Sequence, residues 1–111
     1  MLEYLFGSRN VERILLYLLV NERAYAAGLA KEFKVSLYSL QKIFMKLEQG
    51  GVLVSRLEGK TRIYQFNPRY LFIKELKAFL SSVYETIPPE ILEKSYAPLS
   101  RKRPRRSGKP L

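Results

Sequence analysis

The stretch from Leu29 to Val54 constrains this chain more than any other, because it reads in one register as helix, tight turn, helix and hairpin. Leu29, Ala30 and Phe33 make the apolar side of a short helix spanning about Ala26 to Phe33, and Lys34-Val35 makes the turn. Ser36 offers an N-cap hydroxyl to a helix predicted over 36–50, which Gly50-Gly51 stops. At about 100° per residue that helix divides cleanly. Leu40, Ile43, Phe44 and Leu47 fall on one side, while Tyr38, Gln41, Lys42, Met45 and Gln49 fall on the other. A polar, cationic face on a helix held from behind by a core is what reading base edges in a major groove requires.

The next segment supplies a companion to that helix. Val52–Arg56 and Thr61–Phe66 carry the β-branched and aromatic residues that strands favour, so 52–66 reads as a hairpin around Leu57-Glu58-Gly59-Lys60. Its cations, Arg56, Lys60 and Arg62, suit phosphate or a narrow minor groove. A basic hairpin tip is also an ordinary solvated surface.

Two flanking helices frame this unit. Residues 8 to 21, with Ser8 as cap, place Val11, Ile14, Leu15, Leu18 and Leu19 on a core face. Leu16 and Val20 lie on the opposite side, where either the apolar leader (Leu2, Tyr4, Leu5, Phe6) or a second copy of the chain would have to cover them. Asn67-Pro68 has the chemistry of a helix start, and an apolar stripe through Leu76, Leu80 and Val83 runs to Ile87 before Pro88-Pro89. The division expected is one domain over 1–87, including a dimerisation helix over 68–87, and a Pro-containing basic tail over 88–111 that is largely disordered.

Composition narrows the chemistry. Cys, His and Asp are all absent, which removes thiolate and imidazole metal sites and any Ser-His-Asp arrangement. The ten Glu are scattered at helix-surface spacing, so catalysis is not expected and no cofactor is implied. A net charge of +10 points to a polyanionic partner, but the charge is unevenly spread. Arg101, Lys102, Arg103, Arg105, Arg106 and Lys109 crowd the last eleven residues, leaving 1–100 with fourteen basic and ten acidic residues. The tail could add sequence-independent affinity for DNA or RNA, bind an acidic protein, or simply aid solubility. No apolar run reaches the roughly twenty residues of a membrane span, and the N-terminus lacks the basic start of a secretory signal, so a cytoplasmic, nucleoid-associated protein is expected.

The order helix, helix, helix, hairpin, helix over about residues 5 to 87 resembles the winged helix-turn-helix domain of ArsR-like and MarR-like prokaryotic transcriptional regulators. The matching text is Val35-Ser36, Leu40, Phe44, Leu47-Glu48, Gly51-Val52-Leu53 and Tyr64-Gln65-Phe66-Asn67-Pro68. The leader Leu5-Phe6-Gly7-Ser8-Arg9 is similar to that of winged-helix domains accompanying nucleotidyltransferase-like proteins. Two features depart from the pattern. Lys34 stands where the turn often carries Gly, and the Cys and His ligands of metal-sensing ArsR members are missing, so metal-responsive regulation is not expected.

The resemblance implies a mainly α fold with a small β-hairpin, and a regulator of transcription, a repressor, that binds double-stranded DNA as a homodimer. Ser36, Tyr38, Ser39, Gln41, Lys42, Met45 and Lys46 would face the major groove, with Arg56, Lys60 and Arg62 on the wing. Leu5, Phe6, Leu16, Val20, Leu76, Leu80 and Val83 would form the dimer interface. The alternative is a winged helix used for protein interaction, or as an accessory subunit of a nucleotidyltransferase-like or mobile-element system. No ligand motif is present, so a small-molecule effector is left open.

Overall fold

The starts of the two longest helices before the hairpin follow capping chemistry written into the chain. In the computed structural model, which describes residues 2–90, the order is α1 (Glu3–Phe6), α2 (Arg9–Asn21), α3 (Ala26–Phe33), α4 (Leu37–Gln49), β1 (Leu53–Glu58), β2 (Thr61–Phe66) and α5 (Ile73–Thr86). Ser8 Oγ accepts the N–H of Asn10 at 3.1 Å and opens α2. Ser36 Oγ accepts the N–H of Ser39 at 3.0 Å and opens α4. Each satisfies one donor that a helix start would otherwise leave unpaired.

Helices α3 and α4 end in the same Schellman arrangement. After α4, Val52 N–H reaches Leu47 O and Gly51 N–H reaches Glu48 O, both at 3.0 Å, with Gly51 at φ +83°. After α3, Val35 N–H reaches Ala30 O at 3.0 Å and Lys34 N–H reaches Lys31 O at 3.3 Å, with Lys34 at φ +58°. Lys34 therefore adopts the left-handed conformation itself, at a cost of about 1 kcal/mol that a glycine would not incur.

The strands pair antiparallel from Leu53 opposite Phe66 to Glu58 opposite Thr61. The connection is the two residues Gly59-Lys60, tighter than the four expected, and Gly59 takes φ +65° at the first position, where a hairpin turn of this length favours glycine. Ala24 joins the other edge of β2, exchanging both backbone hydrogen bonds with Tyr64 at 2.8 and 3.1 Å. Phe44 of α4 stacks on Tyr64 with ring centroids 4.4 Å apart, tying the helix to the hairpin.

Helix α2 is central, packing against α1, α4 and α5. This corrects the expected interface. Leu16 and Val20 are buried within the single chain, and so are Leu80 and Val83 of α5, while Leu76 is half-buried against the core. Apolar residues on more than one side of a helix need cover, and here the chain's own elements supply it for Leu16 and Val20 without a second copy. In the leader, Phe6 turns onto the core whereas Leu5 stays 66% exposed. Backbone N–H of Leu2 donates to Glu12 Oε1 at 3.0 Å, fastening the leader to a fully buried carboxylate.

Helix α5 also starts later than the 68 expected. Asn67 Oδ1 accepts the N–H of Arg69 at 2.9 Å in an Asx turn, and its amide donates to Gly51 O at 2.9 Å. Asn67 thus closes the base of the hairpin instead of capping a helix. The tail cations Arg101, Lys102, Arg103, Arg105 and Arg106 lie outside the described residues.

Candidate nucleic-acid interface

Helix α4 presents its outward face as the sequence periodicity requires. Leu40 and Phe44 are fully buried, and Ile43 and Leu47 pack against the core. Tyr38, Ser39, Gln41, Lys42, Met45 and Lys46 are all exposed, Tyr38 at 69% and Met45 at 54%. Lys42 Nζ stands 5.4 Å from the centre of the Tyr38 ring, a cation–π contact that keeps the ammonium on the face. Ser36 is exposed at the helix start, but its hydroxyl serves the cap. It donates to Ser39 Oγ at 2.8 Å, leaving the Ser39 O–H as the donor directed elsewhere.

The wing residues expected as one group divide between two faces of the ribbon. Cross-strand partners share a face and alternate along each strand, so Ser55, Leu57, Arg62 and Tyr64 lie together on one side, and Arg56, Glu58, Thr61 and Ile63 on the other. On the first side Arg62 Nη1 donates to Ser55 Oγ at 2.9 Å, and the Ser55 hydroxyl donates to Glu48 Oε2 at 2.7 Å. That relay fixes Arg62 relative to the last turn of α4. On the second side Arg56 Nε donates to Glu58 Oε2 at 3.0 Å, and Arg23 binds Glu58 Oε1. These bonds, first from Arg23 and then from Arg56, hold the Glu58 carboxyl below the usual carboxylate range.

Between the two regions lies an open cleft of about 690 Å³, walled by Tyr25 and Ala26 at the start of α3, Gln41 and Met45 of α4, and Lys60, Arg62 and Tyr64 of the wing. Gly28 makes one wall possible: an added Cβ would stand 2.8 Å from the Tyr25 ring, so only glycine lets that ring lie against α3. Burial, and secondly the Glu48 charge, push the Tyr64 phenol above its ordinary range, so it stays a neutral donor at the cleft floor. Five residues of this assembly, Arg23, Tyr25, Glu48, Ser55 and Glu58, are not among the site residues expected from the sequence. Arg56 and Glu58 sit two apart in a strand, which was a usable signal; Arg23 pairs across 35 residues, which was not.

Among the described residues, no group of three carboxylate, thiol or imidazole side chains is placed to hold a metal ion. No helix among them is long and apolar enough to cross a membrane.

No protein-family model matches this chain, and comparison with curated proteins finds no match. Among solved structures, the chain is similar to the adhesin competence repressor AdcR of Streptococcus pyogenes, with a TM-score of 0.55 and 17% identity, over 83% of this chain and 66% of that one. It thus spans just under two thirds of the repressor's length. A mutant of Lactococcus lactis ZitR in apo form aligns over 90% of this chain and 84% of its own, at TM-score 0.49 and 18% identity. Identities this low speak for architecture alone. With a one-turn leader helix and three longer helices, a two-stranded hairpin and a closing helix in this order, and with the AdcR likeness, the chain has the winged helix-turn-helix fold.

Proposed function

We propose that this chain is a transcriptional regulator, a repressor, that binds duplex DNA as a homodimer. The observation that carries the reading is the face of α4. Six side chains able to hydrogen-bond or contact bases are exposed on a helix whose reverse side is anchored by Leu40 and Phe44, and the face continues across the cleft to Lys60 and Arg62. Gln41 matches the paired donor and acceptor of adenine, Lys42 or Lys46 can donate to guanine or phosphate, and Tyr38 or Met45 can meet a thymine methyl. The strand backbone between α4 and the wing would lie in the cleft, where Arg62 is already aimed. The name of the AdcR repressor, a protein of the same fold, is in keeping with repression.

The dimer must use surface that the chain leaves uncovered. Tyr4 and Leu5 in the leader and Leu71, Phe72 and Phe79 around the first half of α5 are exposed, and they replace Leu16, Val20, Leu80 and Val83 in the proposed contact. Two α4 helices about 34 Å apart would then enter successive major grooves of a pseudo-palindromic site. The same exposed aromatics also favour a second reading, in which the winged helix docks on a different protein. Footprinting on genomic fragments bound by the chain tests the proposal: two protected half-sites about one helical turn apart are expected. Binding without half-site protection, together with a monomer in sedimentation, would favour the interaction module.

A further inference from the structure

Glu58 is an odd residue to place at the end of a wing that is to approach a polyanion. Its side chain is 39% exposed, beside the Gly59-Lys60 turn, where a carboxylate repels phosphate. Yet both of its oxygens are occupied. Oε2 takes Arg56 through Nε at 3.0 Å and Nη2 at 2.9 Å, and Oε1 takes Arg23 from the connector between α2 and α3. The two arginine side chains stay about half or more open to solvent, at 49% for Arg23 and 65% for Arg56. Two arginines converging on one carboxylate is the arrangement that binds a phosphodiester, with the anion supplied by the chain itself.

We infer that Glu58 is a built-in counter-anion for a two-arginine phosphate site, formed by Arg23 and Arg56 on the wing face turned away from the cleft, and that a backbone phosphate of bound duplex replaces it. The proposal rests on the duplex-DNA reading and adds a second phosphate contact apart from Arg62. Arg23 becomes a DNA-contact residue although it lies outside both the recognition helix and the hairpin. The exchange is weakly opposed, because solvent-exposed ion pairs are worth little and give way readily. Its consequence is selectivity. A loosely seated duplex, which cannot bring a phosphate to this position, meets a neutralised wing; a correctly seated one meets two arginines. Glu58 thereby suppresses non-specific affinity more than specific affinity.

Fluorescence anisotropy with a mixed-sequence duplex, titrated between about 50 and 200 mM salt, tests this with the full chain. Glu58→Gln is expected to tighten binding to that duplex by roughly threefold to tenfold at the low-salt end and to steepen the salt slope by up to about 1, since arginines freed of their counter-anion add a phosphate contact. In the Arg23→Ala/Arg56→Ala background the same substitution is expected to give little gain. Thermal melts of each variant establish that the hairpin is intact. Unchanged or weaker binding by Glu58→Gln would overturn the exchange and leave Glu58 a clamp on the wing. A full gain in the arginine-free background would also overturn it, since simple charge repulsion would then suffice. If wild type binds no duplex under any of these conditions, the DNA reading falls and this site with it; if wild type binds and only the Glu58 effects are missing, the site alone falls.

Discussion

Helix α4 and the wing are both exposed and basic, but their charges are held in opposite ways. Among the described residues, the Lys42 and Lys46 ammoniums of α4 pair with no carboxylate, and Gln41 is exposed beside them. On the wing, Arg56 shares Glu58 with Arg23, and Arg62 is tied through Ser55 to Glu48. Counting cations treats these regions alike. Their hydrogen bonds separate a surface that, on the proposed reading, meets bases directly from one whose cations are first held by side-chain partners. On the same reading, a body with only a small basic excess can carry an interface because charge is partitioned by local pairing, not by sum.

The largest expected effect comes from the residue that joins the two regions. Phe44→Ala removes a fully buried ring that stacks on Tyr64, and should cost about 3–5 kcal/mol in urea unfolding, a large share of a small domain's stability. Next is the readout itself. Gln41→Ala/Lys42→Ala should leave unfolding unchanged while reducing discrimination between the best and an average duplex by about 1–3 kcal/mol, measured by competition binding.

The wing sharpens the contrast. Arg62→Ala, which removes the wing's arginine from the cleft, should flatten the salt slope by about 1. Arg56→Ala should flatten it less, because Arg56 exchanges one anion for another; equal losses would show that pairing with Glu58 is irrelevant to binding. Acid should act on the wing. Because the folded-state pKa of Glu58 is depressed by Arg23 and Arg56, its contribution to stability is complete above the ordinary carboxylate range and disappears as pH falls through the lowered value. The stability difference between wild type and Glu58→Gln should therefore be constant near neutrality and close on acidification in pH-dependent melts. The smallest effect is expected at Lys34→Gly, where relief of a left-handed lysine outweighs the added freedom of the unfolded chain, for a gain of about 0.5–1 kcal/mol with DNA binding unaltered.

What could be read from the sequence was whatever is local and periodic. The spacing of Leu40, Phe44 and Leu47 sorts α4 into faces without reference to anything distant, and Ser8, Ser36 and Gly51 sit where capping geometry needs them. Reading failed where one local signal serves two structures. Asn67-Pro68 has the chemistry of a helix start, yet Asn67 spends its side chain on Arg69 and Gly51, and α5 begins at Ile73. Leu16 and Val20 put apolar residues opposite the core face of α2; that pattern states only that cover is required, and tertiary packing by the chain itself provides it. In the candidate site, the outward residues of α4 followed from periodicity, whereas the pairing of Arg23 with Glu58 depends on Ala24 adding to the edge of β2, a long-range event with no local trace.

The most direct test of the central claim is a salt titration of binding to genomic duplex fragments by wild type and by the Gln41→Ala/Lys42→Ala variant. If α4 reads sequence, the variant keeps weak, salt-sensitive affinity for all fragments and loses its preference among them. If the variant retains the wild-type ranking of fragments at every salt concentration, α4 does not read bases and the regulator assignment is contradicted.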